Sequence, residues 1–280
     1  MIKSIGIIGG GLIGGSLALS IKANFPNMNI HLVSRRIKHI KEDKNASALT
    51  SIYTSIQSLP KNIDIVFVCT PIPSILDIIN QVAAHVNENC IITDVASVKE
   101  SIETELKNYT YKQCIIPAHP MAGKESTGFA HATADLFHNA PYFLIPQKSP
   151  RYDIFKTFIN KIGCSPIEID SKTHDSLMAS LSHVPYLTAI GLILAAKKQS
   201  SDSTLKKTFG PGFRDCTRVA ASSPTWGLDI CKTNKDAIIN HLSSVIDSLQ
   251  TLKDAINKND TTTLTDLFES AKHTRNQLNS

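Results

Sequence analysis

The sequence lacks features that would place it among membrane, zinc-binding or nucleic-acid-binding proteins. No run of 18 apolar residues is free of glycine and charge, so no membrane-spanning helix is expected. None of the six cysteines stands in a C-x-x-C spacing, which favours reduced thiols over disulfides or a metal site. The net charge is +5, but the basic residues are scattered, which predicts anionic small-molecule ligands and no nucleic-acid partner.

The N-terminus does not resemble a secretory signal. Six glycines between Ser4 and Ile21 make a poor hydrophobic region, and no small-residue cleavage site stands out. We therefore expect a cytoplasmic protein. With 280 residues and 42% apolar composition, the chain is long enough for two ordinary domains with a buried core.

A glycine-rich stretch near the N-terminus is the most informative part of the chain. Gly9, Gly11 and Gly14 form a G-x-G-x-x-G between an apolar β-like run and a helix-like run that begins near Leu12. The three glycines would allow a tight turn, close approach to a pyrophosphate, and close helix–strand packing. The pyrophosphate would sit on the N–H groups at the helix start, around Leu12 and Ile13. The pattern predicts a dinucleotide site, with a glycine-rich turn of another α/β protein as the alternative.

The end of the second predicted strand, residues 29–34, carries arginines where NAD-binding sites usually place a carboxylate. Ser34, Arg35 and Arg36 stand there, about 20 residues past the third glycine of the motif. An arginine fork suits a 2′-phosphate, so the sequence favours NADP over NAD. Alternatively, one arginine is only a solvated charge at the end of a strand.

Apolar runs typical of buried strands then alternate with helix-like periods. The strand-like runs are 64–70, 90–94, 113–117, 142–145 and 165–169, and the helix-like segments are 74–86 and 152–162. This alternation predicts a doubly wound, Rossmann-like and mostly parallel sheet, in which ligands bind beyond the carboxyl ends of the strands. Thr70 with Pro71, Ser97 and His119 follow such ends and are candidate site residues.

The second half of the chain is predicted to be helical. Residues 174–198 read as a helix that Pro185 should kink or split. Apolar residues recur at steps of three and four between Ile238 and Ile256, which describes a seam that packs on another helix. We predict a dinucleotide-binding domain over 1–170 and an all-helical domain over 171–280. The seam favours a homodimer, with an intramolecular bundle as the alternative.

Several motifs occur in a fixed order along the chain. They are Gly9 to Ser16, Asp94 to Lys99, His119 to Glu125, His174-Asp175, Ser182 to Pro185, and Phe213 to Arg218 with Trp226 following. This ordered set resembles the prephenate/arogenate dehydrogenase family over nearly the whole chain. The resemblance implies NAD(P)-dependent oxidative decarboxylation of prephenate and/or arogenate in tyrosine biosynthesis. We therefore expect no fused chorismate mutase and no C-terminal regulatory domain in this chain.

The resemblance also implies roles for individual residues. His119 matches the family's catalytic histidine, the base to the ring hydroxyl, and a neutral imidazole suits that task. Ser97 matches the serine that links the histidine, the substrate hydroxyl and the nicotinamide. Arg218 matches the substrate-binding arginine, whose planar fork suits a carboxylate.

Four further positions are implied to line the substrate site. Arg214 stands where the family has a basic residue, and Glu125 matches an acidic residue near the substrate side chain. Lys124 replaces a small polar residue and would attract a carboxylate. Tyr186 stands where a second histidine is common, which leaves prephenate versus arogenate open.

The other polar residues of these motifs are expected to support the site. His174 and His183 are interpreted as packing or supporting side chains, and Trp226 as part of a pocket wall or a dimer interface.

Two other functions remain open from the residues. One is a different NADP-dependent hydroxyacid or imine oxidoreductase with a helical second domain. The other is a non-catalytic NADP-binding dimeric scaffold, which the presence of His119, Ser97 and Arg218 disfavours, because a scaffold needs no base at the nicotinamide.

Overall fold

The computed structural model describes residues 2–278, and these form nine β-strands and twelve α-helices. The strands are β1 (Ser4–Ile8), β2 (Asn29–Val33), β3 (Ser51–Tyr53), β4 (Ile65–Val68), β5 (Ile91–Asp94), β6 (Cys114–Ile116), β7 (Ala118–Pro120), β8 (Pro141–Leu144) and β9 (Ser165–Glu168). The helices of the first part are α1 (Leu12–Asn24), α2 (Ile37–Lys41), α3 (Ile75–His85), α4 (Glu100–Leu106) and α5 (Pro150–Lys161). Those of the later part are α6 (Ser171–Met178), α7 (Val184–Gln199), α8 (Asp202–Thr208), α9 (Pro211–Thr217), α10 (Pro224–Thr233), α11 (Lys235–Asn257) and α12 (Thr261–Gln277).

A parallel six-stranded sheet organises the first part of the chain. Its strand order is β3-β2-β1-β4-β5-β6, with parallel pairing throughout. All residues of β4 and β5 are buried, and the continuously apolar sequence of β4 is typical of a strand covered by helices on both faces. Side chains of α1 and α5 pack on the sheet around Phe67 and form the core. The predicted doubly wound α/β fold, followed by a helical region, is confirmed.

The two strands predicted to complete this sheet, β8 and β9, lie elsewhere. They form a separate three-stranded sheet with β7, in which β7 is antiparallel to β8 and β8 is parallel to β9. Only Pro117 separates β6 from β7. A proline has no N–H to extend a ladder, and the chain leaves the large sheet at this point. His119, which was expected just beyond the end of a strand, therefore lies inside a further short strand, opposite Phe143.

The predicted interruption at Pro185 takes the form of a widened helical turn. Residues Ala179–His183 form a π-helical turn that joins α6 to α7, and Pro185 lies in the first turn of α7. The helical backbone continues through this turn, since the Val184 N–H donates to the carbonyl of Ala179, and Pro185, which has no N–H, follows directly after it. Such π turns occur frequently at functional sites.

The stretch Ser171–Gln199 is long and apolar enough to cross a membrane by length and composition alone. This is weak evidence, because core helices of water-soluble proteins pass the same test. Its polar residues His174, Asp175 and His183 are buried, and Asp175 bonds to the chain just before α4. The predicted absence of a membrane span, like the cytoplasmic location, stays a prediction.

The chain divides into two compact units, one ending at Lys235 and one starting at Asp236. In the second unit, α11 exposes the apolar side chains Ile239, Ile246, Leu249 and Ile256. These belong to the seam predicted from the sequence. The domain boundary between 170 and 171 stays a prediction.

Candidate active site

The glycine loop joins β1 to α1, and two of its glycines are required by the fold itself. Gly9 has a φ of +115°, and a Cβ there would collide with the carbonyl oxygen of Cys69. A Cβ on Gly14 would collide with the carbonyl oxygen of Gly9. In contrast, a Cβ on Gly11 would meet no described atom within 4 Å, so this glycine leaves open space beside the loop.

The surroundings of that space suit a dinucleotide. Helix α1 begins at Leu12, followed by Ile13, and no side chain of the described residues caps its N–H groups. Thr70 lies next to the loop, and its hydroxyl is buried without a hydrogen-bond partner among residues 2–278. Pro71 follows it at the start of the next helical turn. Free N–H groups and an unpartnered hydroxyl are the donors that a pyrophosphate and its ribose use.

The residues beyond β2 lie where the sequence predicted them. The Ser34 side chain accepts a hydrogen bond of 3.1 Å from the Arg36 backbone N–H, which forms a tight turn before α2. Arg35 and Arg36 are exposed, and no ion pair engages either of them within the described part of the chain. Two guanidinium groups are therefore available to an anion at this corner.

Three candidate residues follow neighbouring strands along one edge of the large sheet. Thr70 follows β4, Ser97 follows β5 and His119 follows β6, in the order in which these strands adjoin β1. Adjacent strands lie about 4.8 Å apart, so the ends of β1 and β6 are separated by roughly 14 Å along this row. We call this row of strand ends the carboxyl edge.

A chain of three side chains runs back from the imidazole of His119. His119 Nδ1 lies 3.0 Å from His174 Nε2, and His174 Nδ1 lies 2.7 Å from Asp175 Oδ1. The Asp175 carboxylate also accepts backbone N–H bonds from Lys99 at 2.7 Å and Glu100 at 3.0 Å. The three side chains are buried, so the bonds among them are shielded from water.

A buried charge pair ties the start of β7, next to His119, to β5. The Lys99 ammonium bonds the Asp94 carboxylate, and both side chains have no exposed surface. Asp94 also accepts from the backbone N–H of Ala96 at 2.9 Å and of Ala118 at 3.3 Å. Removing either partner would leave a buried charge uncompensated, which is strongly destabilising. This pair therefore holds the Ser97 loop and the start of β7 together.

These surroundings keep the imidazole of His119 neutral. Burial, followed by the nearby His174, Lys99 and His183, holds the pKa of His119 well below its ordinary value of 6.5. A neutral imidazole has one nitrogen lone pair available as a base.

Aromatic side chains close the other side of Ser97. The indole Nε1–H of Trp226 donates a 3.1 Å hydrogen bond to the Ser97 hydroxyl. The Trp226 ring packs edge-on against Tyr186 and His183, with centroids 5.2 and 5.9 Å away. Trp226, which was expected in a pocket wall or a dimer interface, contacts the candidate catalytic residue Ser97 directly.

His183 supplies one further polar atom. Asn234 donates to the Asp175 carbonyl at 2.8 Å, which identifies its amide nitrogen, and that nitrogen lies 3.3 Å from His183 Nδ1. The pKa of His183 falls to about 4, chiefly through burial. Its Nε2 is buried without a partner among residues 2–278.

The predicted substrate-binding residues on the segment after β7 and on α9 have different partners. The Arg218 guanidinium pairs with the Glu125 carboxylate, on the segment that follows β7. Lys124 is exposed and donates to the Thr133 hydroxyl at 3.1 Å. Arg214 is exposed and pairs with its neighbour Asp215 at 3.6 Å; no contact described here joins it to the His119 cluster.

Comparison with known proteins adds to this arrangement. A parallel sheet with a glycine loop after β1, followed by helices, defines a nucleotide-binding α/β protein with a helical C-terminal part. Residues 17–167 match the profile described as prephenate dehydrogenase, nucleotide-binding domain, and residues 170–270 match prephenate dehydrogenase, dimerization domain. The chain belongs to the prephenate dehydrogenase family.

Individual relatives agree with this assignment. The chain is 31% identical over 280 residues to a cyclohexadienyl dehydrogenase of Zymomonas mobilis, covering 98% of this chain and 95% of that protein. It is 29% identical to the prephenate dehydrogenase of Bacillus subtilis, covering 99% and 76%.

Two solved structures share the fold. A Synechocystis arogenate dehydrogenase superposes with a TM-score of 0.80 at 27% identity, covering 98% of this chain and 99% of that one. The prephenate dehydrogenase of A. aeolicus, in complex with hydroxyphenyl propionate and NAD+, has a TM-score of 0.89 at 24% identity and covers 99% of both chains.

Proposed function

We propose that this protein catalyses the NAD(P)-dependent oxidative decarboxylation of prephenate, arogenate or both, in tyrosine biosynthesis. The observation that carries the proposal is the position of His119. A buried, neutral imidazole lies on the same carboxyl edge as a glycine loop suited to a dinucleotide. The relatives named for prephenate, arogenate and cyclohexadienyl substrates support this reaction class.

In this reaction the cofactor's nicotinamide, when bound, supplies the hydride acceptor. His119 takes the proton of the ring hydroxyl, which makes the carbon bearing it a better hydride donor. Loss of carbon dioxide leaves its bonding electron pair in the ring, which becomes an aromatic phenolate, and the proton held by His119 returns to the phenolate oxygen to give the phenol. The protein therefore has to hold one proton during the reaction, orient the ring and bind its anionic groups.

Ser97 is proposed to orient the reacting hydroxyl. Its oxygen already accepts from Trp226, so its own hydrogen is free to be donated to a substrate oxygen or to another acceptor. It follows β5, between the strands that carry Thr70 and His119, and a hydroxyl there can contact both cofactor and substrate.

Arg218 is proposed to bind a substrate carboxylate, with Glu125 beside it. Its present partner is the Glu125 carboxylate, and this pairing supports the proposal that the guanidinium binds carboxylates. Lys124 adds a positive charge on the same segment, and Arg214 and Tyr186 are proposed to lie near the substrate's side chain.

The proposed cofactor is NADP in preference to NAD. The support comes from Arg35 and Arg36, which are exposed without ion-pair partners among the described residues, beside the Ser34 turn. Gly9, Gly11, Leu12, Ile13 and Gly14 would bind the pyrophosphate. NAD+ is bound in the A. aeolicus structure, so both nucleotides belong in any assay.

A homodimer is proposed through the helical region. The match to a dimerization domain over 170–270 supports it, as do the exposed apolar side chains of α11. Such a seam normally packs on another helix.

A four-way assay tests the function. Prephenate or arogenate is combined with NAD or NADP, and formation of the reduced nicotinamide is followed by its absorbance. We expect turnover with at least one pair and a preference for NADP. Turnover of small hydroxyacids, with none of prephenate or arogenate, would overturn the proposal.

A further inference from the structure

We propose that Asp175 and His174 are positioning residues that hold the hydrogen of the neutral His119 ring on Nδ1, leaving the lone pair of Nε2 as the base. The inference rests on the proposed function of His119 as a base. It follows from the direction of each hydrogen bond in the buried series Asp175–His174–His119, which we call the relay.

The first step is the state of Asp175. Its two carboxylate oxygens accept from the backbone N–H groups of Lys99 and Glu100, at 2.7 and 3.0 Å. A backbone N–H can only donate, so both oxygens are acceptors. The backbone carbonyl of Asp175 is held as well, by the Asn234 amide at 2.8 Å. The carboxylate is therefore fixed in place as an acceptor.

The second step is the tautomer of His174. Its Nδ1 lies 2.7 Å from Asp175 Oδ1, and an ionised carboxylate only accepts, so Nδ1 carries the hydrogen. In a neutral imidazole the other nitrogen then has no hydrogen and acts as an acceptor. His174 therefore presents a lone pair on Nε2.

The third step transfers this direction to His119. His174 Nε2 lies 3.0 Å from His119 Nδ1, and one of the two nitrogens must donate. Because the acceptor is His174 Nε2, the donor is His119 Nδ1–H. His119 then has its lone pair on Nε2, the nitrogen that the relay leaves free for a substrate hydroxyl.

Packing fixes the orientation of both rings. The Phe143 side chain, opposite His119 in the small sheet, lies 6.2 Å from the His119 ring and 5.3 Å from the His174 ring, centroid to centroid. A ring flip of either histidine would put ring carbons in place of its two nitrogens and so break the relay. The relay therefore selects both the tautomer and the rotamer of the base, as the aspartate of a catalytic triad does for its histidine.

The opposite bond direction is the competing arrangement. A doubly protonated His174 would donate from Nε2 to His119 Nδ1, and the neutral His119 would then carry its hydrogen on Nε2. That ring could not take a proton from a substrate at the free nitrogen. The two arrangements differ in an observable quantity, the tautomer of His119.

The experiment is ¹⁵N NMR of the intact protein labelled at histidine, at neutral pH, with His119→Asn to assign the ring. We expect a pyrrole-type Nδ1 and a pyridine-type Nε2 for His119. His174→Gln keeps an amide oxygen to accept from His119 and an amide N–H₂ to donate to Asp175. His174→Phe keeps bulk and offers neither. The matched control is His31→Phe, which removes a buried histidine in β2.

We expect His174→Phe to remove the preference of His119 for the tautomer with its hydrogen on Nδ1. The variant should lower kcat by about tenfold or more, and the roughly 10⁴-fold loss caused by a wrong histidine tautomer is an upper bound. KM should change little, because His174 is not expected to touch substrate. His174→Gln should retain the tautomer and recover most of kcat, and His31→Phe should alter neither.

Three results would overturn the inference. They are a wild-type His119 with its hydrogen on Nε2, a His174→Phe variant with unchanged tautomer and kcat, and equal kcat losses in the Gln and Phe variants with an unchanged tautomer. The NMR result stands even if the enzyme turns over none of the proposed substrates, so failure of the proposed function is separated from failure of the relay.

Discussion

The indole N–H of Trp226 donates a hydrogen bond to the Ser97 hydroxyl over 3.1 Å, although the two residues lie 129 positions apart in the sequence. This bond uses one lone pair of the hydroxyl and rotates its hydrogen away from the indole. It thereby links the helical region to the loop after β5, at a position where the proposed reaction needs an oriented hydroxyl.

Replacing Trp226 with phenylalanine should remove this bond and keep the aromatic packing against Tyr186. A net hydrogen bond contributes about 0.5–1.5 kcal/mol, so kcat/KM should fall by a factor of about 2 to 10. Steady-state kinetics of Trp226→Phe, Ser97→Ala and the double variant check this. The double variant should be no worse than Ser97→Ala alone, and additive losses would show that the bond does not act through Ser97.

His119→Asn should lower kcat by a factor of about 10² or more, because the variant has no group that can take the hydroxyl proton. The dissociation constant of the nucleotide, measured by titration calorimetry, should stay unchanged and serves as the control for folding. Near-normal turnover would remove His119 from the role of base.

The pH dependence of kcat/KM should follow the lowered pKa of His119. Activity is lost only when the ring takes up a proton, and a lowered pKa moves that loss to more acidic solution. The profile should therefore stay flat down through pH 6.5 and fall only below it. A midpoint at or above 6.5 would contradict the burial of the base.

The free energy of unfolding should also decrease at acid pH. Stability therefore has to be measured as a control for the pH profile of kcat/KM. His183 has a pKa of about 4 in the folded protein against 6.5 as its ordinary value, so the unfolded chain binds more protons between these values. The free energy of unfolding should decline as the pH drops from 6.5 towards 4. Circular dichroism at each pH separates loss of the fold from protonation of the base.

Replacing Arg35 and Arg36 with glutamine should weaken NADP binding more than NAD binding. Charge-assisted hydrogen bonds contribute about 1.5–3 kcal/mol, so the ratio of the two dissociation constants should change by roughly 10- to 100-fold. Lys41→Gln, an exposed charge at the end of α2, is the control for a general change in potential. Equal losses for both nucleotides would argue against recognition of the 2′-phosphate.

Arg218→Ala should raise KM by roughly 10- to 100-fold with a smaller change in kcat, because the guanidinium is proposed to bind a carboxylate in ground and transition states alike. Arg151→Ala, at the start of α5, removes an arginine outside the proposed site and should leave KM unchanged. An unchanged KM in Arg218→Ala would reassign that residue to the structural ion pair with Glu125.

Features encoded in short segments could be predicted from the sequence. The glycine loop, the buried strands of the large sheet and the placement of Thr70, Ser97 and His119 beyond strand ends all depend on local periodicity and turn chemistry. The separate pairing of β7 with β8 depends on which distant strands meet, and the hydrophobic pattern of Tyr142 to Leu144 is the same in either sheet. The pattern therefore indicated strands but not their partners.

The side chains around His119 could not be predicted from the sequence, because they also depend on contacts between distant segments. His174 and Asp175 stand at positions that suit helix packing, and nothing local shows that their side chains reach His119 and the backbone before α4. Lys99 and Asp94 belong to a recognised motif, but five-residue spacing does not predict a buried pair. A cue existed only in the occurrence of four ionisable residues within otherwise buried segments.

The single residue between β6 and β7 has a mechanical consequence. A linker as short as Pro117 has no slack, and a rotation of the small sheet against the large one would also have to break the Asp94 bond to the Ala118 N–H. The separation between the imidazole and the row of strand ends is therefore fixed when the protein core forms, before any ligand arrives. In the proposed reaction, the proton acceptor then does not have to be rebuilt in each turnover, and binding energy remains available for holding the substrate.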